Sequence, residues 1–570
     1  MQAGPAAWQA CRSDKEPPQG TATLGTINPD TSGSPTGLVY VDSLIWGGSW
    51  APAIGQPATI AWAQISAAYL TPPYTTTTPG LTWSAAATAA QRLAFSLWEE
   101  VARVDFVELP KDSPDVEIGH ILIPGTTMLE IQGDPSILAY HEVPTIDYIE
   151  PLYGVFSADG KGWTDAGLAR GGFGFVTLVH EIGHAIGLAH PHDGGGDGQT
   201  FPGVTNAYDY GQYKLNQGIW TVMSYNTGWG SAYPDHTDIG YGWQAGPMAL
   251  DIAAIQAIYG ANTTTRTGGD TYALPLLNGP GTYWSCIWDA GGTDTLSAAG
   301  ATAGAILDLR AAPLTGRDAG GYVSYVPGIV GGFTIANGVT IENATGGAGN
   351  DTITGNNRAN LLDGGAGADS MNGGKGNDTY LVDDIGDVVR EAANGGFDTV
   401  YASVSWKLPA NVERLVLTGA AAIDGAGSRG NDEIIGNAAA NRLTGGDGND
   451  TLTGGGGADR LAGGDGADWF VFSTAPAGRT SAVKVADFTP GVDLLVLDDA
   501  VFTGLAPGAL SADALGFGKA AGDATDRILY EAATGWLRWD PDGSGAAGAA
   551  VIFADIGAGL TLTAASFWVV

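Results

Sequence analysis

The chain has 570 residues, 44% of them hydrophobic, and its 24 basic and 60 acidic side chains give a formal net charge of −36. That length exceeds one ordinary core, so two or more domains are expected, and the apolar content excludes wholesale disorder. The charge disfavours nucleic acid and anionic membranes as partners, whereas clustered carboxylates would attract divalent cations. Two cysteines, Cys11 and Cys286, exclude a disulfide framework and leave one bridge open. No apolar run is long enough to span a bilayer.

In chain order, residues 1–40 are rich in Pro, Gly, Ser and Thr and read as a flexible leader or propeptide. Arg12, Asp14, Lys15 and Glu16 stand where a secretory signal would need its apolar stretch, so no N-terminal signal peptide is expected. Residues 41–262 have the composition of a mixed α+β domain. Helical spacing of apolar residues predicts helices over 85–104, 173–186 and 248–259, with a strand at Asp105-Phe106-Val107-Glu108-Leu109. Gly187 and Gly260 end the last two helices. Residues 263–345 are strand-rich. Nine-residue units then repeat over 346–381 and again over 427–471, separated by a Val- and Leu-rich insert at 382–426. Residues 472–570 are again strand-rich and close on Phe567-Trp568-Val569-Val570.

The second helix carries His180-Glu181-Ile182-Gly183-His184. Residues four apart share a helical face, so both imidazoles reach one metal ion while Glu181 stands slightly aside. Alone, the pattern also fits a helix that carries two histidines by chance. Gly187 and His190 complete H-E-x-x-H-x-x-G-x-x-H, in which the glycine turns the chain back and His190 becomes a third ligand. Three protein ligands leave a coordination position open, the catalytic arrangement of zinc. His120, His141 and His236 are isolated and read as ordinary histidines, and spacing makes His192 a bystander.

The nonapeptides are built on G-G-x-G-x-D-x-U-x, with Asn360 and Asn441 replacing the aspartate in two units; the glycine-rich half turns with its carbonyls inward and the aspartate adds a hard anionic oxygen suited to calcium. The expected calcium residues are Gly347, Gly349, Asp351, Gly365, Gly367, Asp369, Gly374, Gly376 and Asp378 in the first block. In the second they are Asp432, Gly446, Gly448, Asp450, Gly455, Gly457, Asp459, Gly464, Gly466 and Asp468. One turn takes two units, so Asp351 should stack with Asp369, and Asp432 with Asp450 and Asp468. Asn360 should meet Asp378 and Asn441 should meet Asp459, giving weaker sites because asparagine is neutral. A flexible glycine-rich linker would not repeat the aspartate and the buried apolar position together.

Thr221-Val222-Met223-Ser224-Tyr225, Pro191 after the histidine motif, and the segments 249–262 and 288–294 make the chain resemble a metzincin, and within that clan a serralysin. The resemblance covers roughly residues 40–570 apart from the insert. It implies a metzincin catalytic domain followed by an all-β parallel β-roll. It places Met223 as an apolar floor under the metal and Tyr225 as a movable zinc ligand that then hydrogen-bonds the oxyanion. Read from the residues alone, Met223 is equally a core residue and Tyr225 a core hydroxyl. The resemblance further implies a calcium site from Arg266, Gly268, Asp289, Gly291, Asp294, Thr340 and Glu342, and a substrate-binding edge strand near residues 138–140. After Pro191 the chain departs from the family with His192-Asp193 and a glycine run, and Gly269 is an extra residue near the calcium site.

These features lead us to expect a secreted zinc endopeptidase, with one catalytic Zn2+ and several structural Ca2+. Its expected partners are protein or peptide substrates, the type I secretion machinery and a proteinaceous inhibitor, and a monomer is expected. An uncleaved C-terminal signal fits the apolar ending, which is equally a last β-strand. The competing reading is a non-catalytic calcium-binding surface or adhesion protein with a vestigial protease domain. Decay would show first at residues needed only for chemistry, and Glu181 is intact.

Overall fold

The computed structural model describes residues 36–69, 79–132, 137–145, 151–194, 198–226, 228–543 and 549–570. Most of the expected leader, with Cys11, lies outside the described residues. Two compact units result: Met1–Ala298 with Ile306–Ile341, and Ala299–Ala305 with Glu342–Val570. Most of the strand-rich segment 263–345 thus packs with the first unit instead of standing apart.

In the first unit a five-stranded sheet runs, in spatial order, Val104–Glu108, Ala58–Gln64, Ile118–Ile123, Leu152–Ser157 and Ala139–His141. The first four strands are parallel and the last is antiparallel, with Tyr140 opposite Val155. Ile118–Ile123 and Leu152–Ser157 are buried at every position, as central strands covered on both faces must be. Helix Ala85–Val101 starts at Ser84, whose side chain accepts the Ala87 N–H, and buries Ala94, Phe95 and Trp98. Trp98 Nε1–H donates to Val179 O at 3.2 Å, fastening this helix to helix Phe173–Ala185. The third helix, Ala249–Tyr259, ends at Gly260, which holds φ +80°.

The second unit is a parallel β-roll. Consecutive coils pair in register eighteen residues apart, as in Ile353 with Met371, Leu362 with Tyr380 and Leu443 with Leu461. The apolar position of each repeat points inward, and Ile353, Leu362, Met371, Tyr380, Leu443, Leu452, Leu461 and Phe470 are all fully buried. Burying one apolar side chain from each repeat, two per coil, yields about 1.5–3 kcal/mol per residue. That makes a narrow core for so much ordered glycine.

Residues 382–426, set apart in the sequence as an insert, prove to be part of this roll. Val388–Arg390 pairs with Ser370–Asn372. Thr399–Ala402 pairs with Thr379–Val382, and Arg414–Leu417 bridges Thr399–Ala402 to Glu433–Ile435. The nonapeptide spelling lapses there, but the strand register does not, because pairing needs extended backbone and an inward apolar residue more than it needs glycine. The apolar ending is a strand as well: Phe567–Val569 lies parallel to Leu494–Leu497 with Phe567 and Val569 buried.

Candidate metal centre

Every residue of helix Phe173–Ala185 is buried, so its two histidines face protein, not solvent. Gly183, between them, lacks a Cβ for a reason: one placed there would lie 2.8 Å from Met223 Sδ and 3.2 Å from Trp98 Cζ2. The helix stops at Gly187, which holds φ +105° and donates to His184 O at 3.0 Å, while Leu188 N–H returns to Gly183 O at 2.9 Å. A Cβ at Gly187 would meet Gly48 O at 2.5 Å. The same turn aims Leu188 O at His184 Nδ1, 2.8 Å away, so the helix stop also orients a ring.

His180, His184 and His190 converge, their Nε2 atoms lying 3.0–3.2 Å from one another. Each Nδ1–H has its own acceptor: Val222 O at 2.8 Å for His180, Leu188 O at 2.8 Å for His184 and Asp193 Oδ2 at 2.6 Å for His190. Every Nε2 is therefore an acceptor, and three acceptors facing one another cannot hydrogen-bond together. Burial holds the rings neutral: it pushes His180 down to about 4 and, with the neighbouring imidazoles, His184 and His190 well below the usual histidine range. Three neutral imidazoles with converging lone pairs and fixed tautomers suit zinc.

Glu181 is buried beside them, its Oε2 making no hydrogen bond, and burial pushes its carboxyl up to about 8. Tyr225 is also close, its ring 4.7 Å from that of His190 and 6.0 Å from that of His180. His192 is more than a bystander in space, since it stacks on His190 at 4.9 Å and packs edge-on against Tyr225. His120 and His141 form a separate buried pair 5.3 Å apart, and His236 Nε2 lies 2.8 Å from Tyr241 O.

Two supporting residues escaped sequence reasoning. Asp193 anchors His190, and burial pushes its carboxyl up to about 6. Its position three residues after a histidine was the available signal. Asp251, on helix Ala249–Tyr259, accepts from Thr221 Oγ1 at 2.5 Å, Val222 N–H at 2.6 Å and Met248 N–H at 2.9 Å. It holds the methionine turn in place from far along the chain, and no local pattern announced it.

Of the other expected calcium residues, Asp289 and Asp294 come together, and Asp270, which sequence reasoning missed, joins them. Asp294 Oδ1 accepts Asp270 N–H at 2.7 Å, and Asp289 accepts from Gly291 N–H and Tyr272 Oη–H. Arg266 holds φ +50° beside Gly268, and its guanidinium pairs with Glu100 at 2.7 Å. Thr340 lies in the same unit, Glu342 in the other.

In the roll the aspartates form ladders. Asp369 Oδ1 accepts Asp351 N–H at 2.7 Å, Asp450 accepts Asp432 N–H at 2.8 Å, and Asp468 accepts Asp450 N–H at 2.9 Å. On the opposite side Asp378 accepts Asn360 N–H and Asp459 accepts Asn441 N–H. The second oxygens of Asp369, Asp450 and Asp459 are buried without a hydrogen-bond partner. Gly365, Gly367, Gly374, Gly376, Gly446, Gly448, Gly455, Gly457, Gly464 and Gly466 all hold positive φ, and a Cβ on Gly464 would collide with Gly446 O. Gly347 N–H donates to Asp351 at 2.5 Å, and Gly349 packs closely on Gly304. Orphaned anionic oxygens among stacked carbonyls fit calcium.

The chain thus carries, in order, a histidine-bearing helix against a mixed sheet and a roll of aspartate ladders. Family models match in that order: Matrixin over residues 61–196, Peptidase M10 serralysin C terminal over 249–404, and the RTX calcium-binding nonapeptide repeat over 426–451 and 435–470. The chain is 32% identical to a serralysin of Proteus mirabilis over 297 residues, 48% of this chain and 54% of that one. It is 39% identical to a metallopeptidase AprA of Pseudomonas marginalis over 201 residues, 33% and 39% of the two chains. Against a serralysin C of Dickeya chrysanthemi it is 34% identical over 329 residues, 55% and 61%. The chain thus spans about half the length of the curated relatives it matches. The histidine cluster lies in the Matrixin stretch and suits zinc, and the aspartate ladders lie in the calcium-binding repeat stretch. His180, Glu181, His184 and His190 fall inside the Matrixin match, whereas Met223 and Tyr225 fall between the matched stretches.

Proposed function

We propose that the chain is a secreted zinc-dependent endopeptidase, its zinc held by His180, His184 and His190, and its roll held by calcium. The observation that carries this reading is the set of three Nε2 acceptors 3.0–3.2 Å apart beside a buried carboxyl with an unpaired oxygen. Zinc bound there supplies Lewis acidity, which polarises a scissile carbonyl and acidifies water. Glu181 then accepts the proton of the attacking water and passes it to the leaving amine. Its apolar surroundings keep it basic enough for the first transfer and acidic enough for the second. Tyr225, whose ring lies 4.7 Å from that of His190, would help hold the zinc and would donate its hydroxyl hydrogen to the oxyanion. Ala139–His141, the last strand of its sheet, would take an extended peptide as an added strand. The likeness to serralysins supports export by a type I system.

The test is zinc analysis together with casein digestion, with and without chelator. Stoichiometric zinc and chelator-sensitive digestion are expected. A chain that binds calcium but neither holds zinc nor cuts casein would favour the vestigial-protease reading.

A further inference from the structure

The last coil of the first repeat block meets residues 382–426 at a cluster of three carboxylates. Asp378 Oδ1 accepts Asn360 N–H at 2.7 Å, and Asp398 Oδ1 accepts Asp378 N–H at 2.7 Å. Each therefore has one oxygen engaged. The other, Oδ2, is buried in both residues without any hydrogen-bond partner, although the side chains are only 1% and 0% exposed. Glu391 joins them, and ligand oxygens of all three lie within 4.8 Å of one another. Tyr380 Oη–H donates to Glu391 Oε1 and Ala392 N–H donates to Oε2 at 3.1 Å, which fixes the glutamate in place.

The backbone around the cluster repeats the geometry of the aspartate ladders. Gly376 N–H donates to Gly395 O at 2.9 Å, and a Cβ on Gly396 would collide with Gly376 O. Asn377 Oδ1 accepts Phe397 N–H at 3.0 Å, just as Asn350 accepts Ala368 N–H and Asn449 accepts Ala467 N–H between true repeats. The 394–398 turn is therefore stacked as a repeat turn, although its sequence does not spell one.

We infer that Asp378, Glu391 and Asp398 form a calcium site of mixed origin, one ligand from the last repeat of the first block and two from the segment between the blocks. Buried carboxylates this close repel one another and lose their hydration, and a divalent cation relieves both penalties. Burial already pushes Asp378 up to about 7 and Asp398 up to about 6, with neighbouring carboxylates adding to it. The donors are oxygens only, which selects a hard cation. Irregular carboxylate and carbonyl donors suit calcium, whereas magnesium demands a strict octahedron and keeps its waters. Three anionic ligands also make this site tighter than the Asn-containing coils, because charge count raises calcium affinity. The site ties the two repeat blocks into one continuous roll and does not depend on the peptidase reading.

The test uses the full chain. Calcium bound per chain is measured by equilibrium dialysis in chelator-buffered calcium for the wild type, Glu391→Gln and Asp398→Asn. Each variant is expected to bind one ion fewer at low free calcium while the far-ultraviolet dichroism at saturating calcium is unchanged. Unchanged stoichiometry and affinity in both variants would overturn the site. Anomalous diffraction from calcium-loaded wild-type crystals gives a second measurement that does not depend on how the variants fold. A peak among the three carboxylates is expected, and its absence while the repeat sites are filled would overturn the inference, as would equal filling by magnesium at equal concentration.

Discussion

Asp251 is linked to His180 through a single residue: Val222 donates its N–H to Asp251 Oδ2 at 2.6 Å, and its carbonyl accepts His180 Nδ1–H at 2.8 Å. A carboxylate on one helix thereby sets the tautomer and aim of an imidazole on another. Burial pushes Asp251 up to about 7, so its ionised form depends on the donors around it. Asp251→Ala would leave buried donors of Thr221, Val222 and Met248 without an acceptor, at about 1–3 kcal/mol for each one left unmade. A clear drop in the thermal midpoint is expected, with faster zinc loss to chelator. Asp251→Asn, which keeps one acceptor oxygen, should fall between. Wild-type zinc retention in the alanine variant would refute the link.

Glu181→Gln keeps the shape of the side chain and all three histidines. It should retain zinc and lose at least about a hundredfold in casein turnover, the usual contribution of a general base. Turnover near the wild-type rate would remove Glu181 from the proposed mechanism.

Tyr225→Phe removes one hydroxyl beside His190 without altering the ring contacts. If that hydroxyl acts on the oxyanion, kcat should fall by about a hundredfold with KM little changed, as for loss of one oxyanion donor. A change confined to KM would assign Tyr225 to substrate binding or packing.

Residues 346–471 should fold only with calcium. Their ordered glycines are entropically expensive and their stacked aspartates repel, while each repeat buries one main apolar side chain. Hydrogen exchange on the full chain in EDTA should show this region unprotected while strands Ile118–Ile123 and Leu152–Ser157 stay protected. Protection of 346–471 should appear on adding millimolar calcium and not on adding magnesium. Full protection in EDTA would defeat the idea.

What the sequence determined by itself was whatever depends on short, fixed spacings. His180 and His184 share a face because a helix repeats every 3.6 residues, and Gly187 marks its own turn because a positive φ is cheap only for glycine. The ladders of Asp351 on Asp369 and Asp432 on Asp450 were legible because two nonapeptides make one coil. Only the tertiary structure decided which distant groups complete these sites. Asp251 supports Val222 across 29 positions, and Asp270 joins Asp289 and Asp294 from the position just before strand Thr271–Ala273. The segment between the repeat blocks continues the ladder through Asp387, Asp398 and Glu413 at offsets of 18, 20 and 15 residues. An irregular offset leaves no period to read, yet sheet hydrogen bonding tolerates it, because the extra or missing residues are absorbed in turns while the strands stay in register.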